Sequence, residues 1–494
     1  MKKLLTTALI LSAFGITATA TAREYNDSLR YRAEIGGTFS TGEHTPFWMV
    51  NDHYGFSGLK KNNAWIRAGI FHDMDRSRRF SWGAGVDLGA ALNFERAFIP
   101  QQIYAEVKYR CLDAMIGQKE MAEDMITSDL ASGGLTVSRN ARPIPQLRVG
   151  IFDYADFWGC NGWFAVKGYL GYGMFTDSSW LKKWASPQSP YVLNILYATR
   201  AIYFRGGDAR QFPLVGEFGM KMDSQFGGTY YSPEKNGVRE KTKFPTNFRA
   251  WIKGMVPLHG DSSTWMGEQT NVQGNFLGNW SFALGWYAPA GWSVKLYYQH
   301  QFEDHSMMFF DYPWRDGYWG IEGKLPKNPY VSEIVAEYIT SRDQAGPVYF
   351  DHNQNIPYQV SGVDGYYSHF MYQTWSNYGM VIGNPMFISP VYNSDHVNAM
   401  RNTRIRAWNL GLRGEPSPQV DWKLRMSGIN SWGTYSGPTV HVKHDFSMLG
   451  EVNYHPGSLK GWEGSLSIGF DNGNLIGKSF GVGITIAKVG FIKF

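Results

Sequence analysis

Apolar and polar residues alternate through most of this chain. In residues 29–35 (Leu29-Arg30-Tyr31-Arg32-Ala33-Glu34-Ile35) the alternation is strict. The same pattern returns at 103–110, 248–256, 292–303, 420–427, 462–470 and 480–487. In the run from Trp292, one face reads Trp292, Val294, Leu296, Tyr298 and the other Ser293, Lys295, Tyr297, Gln299, Gln301. Successive side chains of a strand leave on opposite faces, so each run is a strand with one greasy and one wet side. Strand length chooses between a soluble sheet and a membrane barrel. Soluble strands average about 5–6 residues. A tilted strand that crosses a bilayer needs about 9–11, the length of many of these runs. The predicted fold class is all-β, a transmembrane antiparallel β-barrel.

A strand with its share of turn and loop takes about 25 residues, and the even-number tendency of such barrels then gives about 18 strands. The chain ends Gly490-Phe491-Ile492-Lys493-Phe494. Phe494 and Ile492 fit a last strand of the kind the barrel assembly machinery reads. Gly490 and Lys488 break the apolar phase, which suggests a bulge near Ala487-Lys488. Four segments interrupt the strand pattern. Residues 118–130 read as a short amphipathic helix, and 223–246, 303–317 and 342–402 as long loops. The last two are too long for the periplasmic side, where turns are short, and are expected outside the cell. The aromatic content of 342–402 argues against disorder. No linker or fixed-period repeat divides residues 23–494, which are expected to form one domain.

The N-terminus carries Met1-Lys2-Lys3, an apolar run from Leu4 to Ile16 and the small-x-small closure Ala20-Thr21-Ala22. Residues 1–22 are therefore expected to be a cleaved signal peptide. No later stretch reaches about 18 apolar residues, so helical spans are not expected. Aromatics make up 16% of the chain and charged residues 18%, with 56 glycines. Aromatic girdles and a curved, glycine-tolerant wall account for that combination. The expected location is the outer membrane of a Gram-negative bacterium, as a monomer in contact with outer-membrane lipids. The net charge of +5 falls to +3 without Lys2 and Lys3, which is not the balance of a nucleic-acid binder. Cys111 and Cys160 would sit in an oxidising compartment, and both a disulfide and unpaired burial stay open.

No catalytic signature stands out. The acid pairs Asp153/Asp156, Glu303/Asp304 and Asp316/Glu322 fit solvated loops or a lumen face better than a hydrolase. The 12 histidines lack metal-ligand spacing. The run Gly168-Tyr169-Leu170-Gly171-Tyr172-Gly173 fits barrel wall, not a nucleotide loop, since no helix pattern follows it. No catalytic residue, metal or cofactor is expected. Carbohydrate contact has more support. Sugar C–H faces stack on aromatic rings, and hydroxyls match Asp, Asn and Arg. Tyr312, Trp314, Arg315, Asp316 and Trp319 offer this set within eight residues, and Tyr366, Tyr367 and Trp375 follow in the long loop. Packing of the loops over the barrel mouth competes with sugar contact for each of these aromatics.

Three separated stretches look like segments of a known family. They are His44-Thr45-Pro46-Phe47-Trp48-Met49-Val50-Asn51-Asp52-His53-Tyr54-Gly55, Ser138-Arg139-Asn140-Ala141-Arg142-Pro143-Ile144-Pro145, and Ile382-Gly383-Asn384-Pro385 with Tyr366-Tyr367 upstream. Together they make the chain resemble the capsule-assembly Wzi family of outer-membrane proteins over nearly its whole mature length. The resemblance implies an 18-stranded barrel with a few short helices near the periplasmic end. It also implies a non-enzymatic, lectin-like role in retaining capsular or other surface polysaccharide. A porin-like channel for small solutes and a surface glycan hydrolase are the competing functions.

Overall fold

The computed structural model describes residues 28–121, 123–157, 159–160, 162–256, 274–303, 308, 315–344 and 365–493. The expected signal segment 1–22, Tyr312, Trp314 and Phe494 lie outside them. Eighteen strands form one sheet. The first nine are β1 (Ser28–Gly42), β2 (Asn63–His72), β3 (Phe80–Leu92), β4 (Phe98–Tyr109), β5 (Leu112–Gln118), β6 (Gln146–Asp156), β7 (Phe164–Met174), β8 (Leu196–Gly206) and β9 (Leu214–Phe226). The others are β10 (Asn275–Tyr287), β11 (Ser293–Phe302), β12 (Gly317–Lys324), β13 (Glu333–Thr340), β14 (Ile405–Ser417), β15 (Val420–Gly433), β16 (Pro438–Tyr454), β17 (Trp462–Gly473) and β18 (Ser479–Lys493). Each pairs antiparallel with its sequence neighbours, and β1 pairs with β18 from Ser28↔Lys493 to Gly42↔Ser479, which closes the barrel.

The wall is inside-out relative to a soluble sheet. In β3 the exposed positions are Phe80, Trp82, Val86, Leu88, Ala90 and Leu92, and the buried ones Ser81, Gly83, Gly85, Asp87, Gly89 and Ala91. The greasy face is turned out because the solvent there is hydrocarbon. Closure leaves no sheet edge unpaired within it. Two inward glycines admit loops from inside. A Cβ on Gly89 would strike the Phe56 ring, and one on Gly411 would lie 2.6 Å from Leu130 Cβ. The outer-membrane β-barrel expected from the alternation is the fold observed.

Turns at the end holding the chain termini are short, such as 110–111 and 418–419. Connections at the other end include 119–145, 227–274 and 341–404. By turn length the second end is extracellular. The three α-helices among the described residues, α1 (Phe47–Val50), α2 (Ser178–Trp184) and α3 (Phe248–Met255), all lie at that end. Among the described residues, the helices expected near the periplasmic end are thus at the opposite one.

Three local expectations fail for physical reasons. Residues 119–121 and 123–130 are irregular, not helical, because their acidic side chains reach to different wall strands. Residues 248–256 are not a strand: Asn247 accepts from Ala250 N–H and caps α3. This helix packs on the outside of the barrel. Its Trp251 ring meets Tyr172 of β7 at 4.7 Å, and Arg200 of β8 donates to Gly254 O at 3.2 Å. The bulge near Lys488 does not form, since the β1–β18 register runs unbroken. Lys488 instead sits in the outward phase and snorkels, its ammonium 5.5 Å over Trp462 and bonded to Lys460 O. No disulfide joins Cys111 and Cys160.

Candidate functional site

Three extracellular loops turn back into the lumen: 43–62, 119–145 and the 365–400 part of the longest one. The middle loop crosses the barrel. Glu120 meets Arg67 of β2 at 2.9 Å, and Asp124 meets Lys167 of β7 at 2.7 Å. Asp129 pairs with Arg413 of β14 and, at 2.9 Å, with Lys423 of β15. Leu135 N–H donates to Gln299 of β11 at 2.9 Å, and Thr136 to Asn279 of β10 at 2.7 Å. In these ion pairs the carboxylates are on the loop and the cations on the wall. Burial works against ionisation of Asp124 and Asp129. Lys167 and Lys221 overcome it at Asp124, and Lys423 and Arg413 at Asp129, so both carboxyls stay well below the usual range.

The stretches that carried the family resemblance meet inside this plug. Asp52 joins two guanidiniums, Arg139 at 2.9 Å and Arg425 of β15 at 2.8 Å. Arg425 also lies 3.7 Å over the Trp48 ring, whose Nε1 donates to Ser427 at 3.0 Å. Asn140 accepts from Asp52 N–H at 3.2 Å and donates to Val381 O at 2.9 Å. Ser138 N–H donates to Ile382 O at 2.8 Å. Asn384 donates to Ser132 Oγ at 3.0 Å and to Gly133 O, and Tyr367 O–H to Leu135 O. These side chains saturate irregular backbone that runs within a membrane protein's interior, which is the condition for such backbone to exist there. Sequence reading gave Asp52, Asn140 and Asn384 no role; an Asn or Asp in each shared stretch was the available signal.

The residues singled out for sugar contact do not gather into one surface. Trp319 faces outward on β12, 55% exposed, with its ring 4.1 Å from that of Tyr298, so it belongs to the lipid-side girdle. Tyr366, Tyr367 and Trp375 are fully buried and pack the plug, the competing role named for them above. Asp316 is buried too; it accepts from Asp343 N–H at 3.1 Å and from Gln344 N–H, tying 303–316 to 341–404. Burial pushes its carboxyl up to about 7 despite those two bonds. Arg315 is exposed at the extracellular end. The acid pairs are structural where described. Asp153 pairs with Arg76 at 2.7 Å, Glu322 with Lys324 at 2.6 Å, and Glu303 accepts from Tyr367 N–H.

A different aromatic surface lies on top of the plug. Trp180 and Trp184, one turn apart on α2, stack at 5.1 Å and 19°. Trp184 stacks on His396 at 5.2 Å and 18°, and Trp180 lies 6.1 Å from Tyr378. Arg96 donates to Tyr378 Oη at 2.7 Å, and Arg142 covers the same ring at 4.0 Å. Trp180 Nε1 donates to Glu95 at 3.2 Å. Lys182 and Lys183 are exposed beside the row and make no ion pair with a described residue. Tyr191 and Tyr231 stack at 5.2 Å nearby, with Arg239 over one ring and Lys241 over the other. Both Tyr378 and His396 hold left-handed backbone, φ 53° and 55°. Such strain persists only where surroundings over-determine it. The Trp180-Leu181-Lys182-Lys183-Trp184 spacing could have exposed this shelf in the sequence.

No protein-family model matches the chain, and no curated protein sequence is similar to it. Among solved structures it is similar to Wzi of Escherichia coli, described as an outer-membrane protein involved in group 1 capsule assembly and a carbohydrate-binding β-barrel. The identity is 13% and the TM-score 0.55, over 100% of this chain and 92% of that one. Pseudomonas aeruginosa OccK3 (OpdO) is similar at 10% identity and TM-score 0.45, over 95% and 98% of the two chains. OprD of the same organism gives 10% and 0.45, over 94% and 96%. The likeness is one of fold: an 18-stranded outer-membrane barrel.

Proposed function

We propose that this barrel is a non-enzymatic surface lectin that retains an acidic capsular or surface polysaccharide. The observation that carries the reading is the plug. Three loops cross-linked to the wall fill the interior, so the built surface of the molecule is its extracellular roof. That roof carries the stacked row Trp180, Trp184, His396, with Lys182, Lys183, Arg239 and Lys241 around it. Sugar C–H faces match the exposed His396 end and the half-buried Trp184 ring. The cations match uronate or other acidic substituents. The carbohydrate-binding description of Wzi, which is similar over the whole chain, supports the same reading. Each wet contact is worth about 1 kcal/mol or less, so retention rests on a repeating polymer engaging many sites.

The test is binding of purified acidic polysaccharide to the detergent-solubilised barrel. Trp184→Ala with His396→Ala should weaken binding about tenfold, equivalent to about 1.4 kcal/mol. Polymer length should not change on incubation. Shortened polymer would mean a hydrolase. Solute conductance by the intact protein in planar bilayers, with no loss of glycan binding in the double variant, would mean a channel.

A further inference from the structure

A second basic cluster lies on the outer side of the wall, far round the barrel from the shelf. It is made by Arg342, just past β13, by Arg404 and Arg406 at the start of β14, and by Trp432 and Tyr435 at the end of β15. Arg342 lies 4.3 Å over the Trp432 ring and Arg406 5.9 Å over the same ring. Arg404 lies 4.2 Å over Tyr435, and its Nε donates to Arg342 O at 3.2 Å. The Tyr435 hydroxyl donates to Asp343 O at 2.9 Å, which holds the loop ends together. None of the three guanidiniums forms an ion pair with a described carboxylate, and Arg342 Nε has no hydrogen-bond partner. Asp343 is the nearest acidic neighbour in sequence and forms no ion pair with them either.

Strand parity fixes where this cluster faces. In β14, Ile405 and Ala407 are buried toward the lumen, while Arg406 and Trp408 are exposed on the outside. Trp408 pairs with Tyr338 and Arg406 with Thr340. Trp408 and Tyr338 are both exposed on the lipid side and belong to the outward aromatic set. Arg406 therefore stands two residues, about 7 Å, above that girdle toward the extracellular end. That is headgroup depth in the outer leaflet.

We propose that Arg342, Arg404 and Arg406 bind the phosphate groups of an anionic glycolipid in the outer leaflet. A planar guanidinium fork matches phosphate oxygens in pairs, and rings beneath it keep it extended and partly desolvated. The lipid's acyl chains continue down the apolar wall beside Trp408 and Tyr338. An acidic polysaccharide would meet the roof, not this outward face, so the cluster is distinct from the shelf.

The experiment uses full-length protein in detergent, titrated with bisphosphorylated lipid A and with its dephosphorylated form, and read by native mass spectrometry. The phosphorylated lipid should bind at least about tenfold more tightly, and Arg342→Ala/Arg404→Ala/Arg406→Ala should abolish that preference. Arg404 also bonds to backbone, so folding of the triple variant is checked by its heat-modifiable gel shift. The Arg406 side chain makes no described hydrogen bond. Arg406→Gln alone should weaken binding about fivefold, and Arg406→Lys should fall between it and the wild type, since Lys keeps the charge and loses the fork. Equal binding of the two lipids, or wild-type binding by Arg406→Gln, would overturn the proposal. So would displacement of the lipid by acidic polysaccharide that the triple variant no longer binds, which would give the cluster to the glycan.

Discussion

The barrel wall and its plug solve the same problem in opposite ways. Both must satisfy every backbone N–H and C=O away from water. The wall does it with a ladder: each strand bonds two neighbours and side chains are free to alternate. The plug has little ladder, and side chains do the work. Asn140, Asn384, Asp52 and Asp316 bond backbone or cations across loops far apart in sequence. A lipid-facing wall position is thus replaceable by another apolar residue. A plug position is bound to its particular partner.

The largest way to break this comparison is to remove the plug. Replacing 365–400 by a short linker should leave a heat-modifiable barrel and turn a silent protein into a conducting one in planar bilayers. Loss of the barrel itself would mean that wall and plug fold as one unit. Next is Asp52→Ala, which strands Arg139 and Arg425 inside the lumen. Breaking buried pairs costs about 3–5 kcal/mol, and it should appear as faster hydrogen exchange in 44–56 and 131–142. Exchange in β1–β18 should stay slow; a uniform rise would erase the distinction.

A wall substitution should act the other way round. Val86→Arg puts a cation on the lipid face and should cost about 2–4 kcal/mol if it sits near the bilayer midplane, less toward the rims. It should lower barrel stability in urea without opening the plug. Conductance appearing in Val86→Arg would argue that the two regions are coupled.

The smallest effect is with pH. Burial raises Asp316 to about 7 and Glu123, which accepts from Gly134 N–H, to about 8. Asp177 is raised to about 6 by burial. A carboxyl with a raised native pKa binds its proton more tightly when folded. The associated stability is full below about pH 4, the unfolded value, and is lost as pH rises to about 8. Plug protection factors, which exclude the intrinsic acceleration of exchange with pH, should therefore fall between about pH 4 and 8, by on the order of 2 kcal/mol after relaxation. Glu123→Gln should flatten the upper part of that profile. Protection that grows with rising pH would show that these carboxyls are stabilised as anions.

The comparison also explains what could be read without a structure. The alternation in 29–35, 103–110 and 292–303 gave strands, and their length gave a membrane barrel of about 18. Residues 248–256 satisfied the same period, yet Asn247 caps them into a helix, because a short run fits both periods. Residues 118–130 looked helical since Met125, Ile126 and Leu130 recur at helical spacing. Their acidic neighbours have partners on β2, β7, β14 and β15, which no local pattern encodes.

For the candidate site the division is sharper. Aromatic residues in loops were visible as such, but their fates were not: Trp319 faces lipid, Trp375 is buried, and Trp184 stacks at the surface. The sequence by itself determined the solvent of each wall face, since a two-residue period leaves one choice of which side meets hydrocarbon. Only the tertiary structure decided that the long loops turn inward and which rings stay on the roof. Those outcomes depend on ion pairs and hydrogen bonds between segments hundreds of residues apart, and such contacts leave no period in the chain.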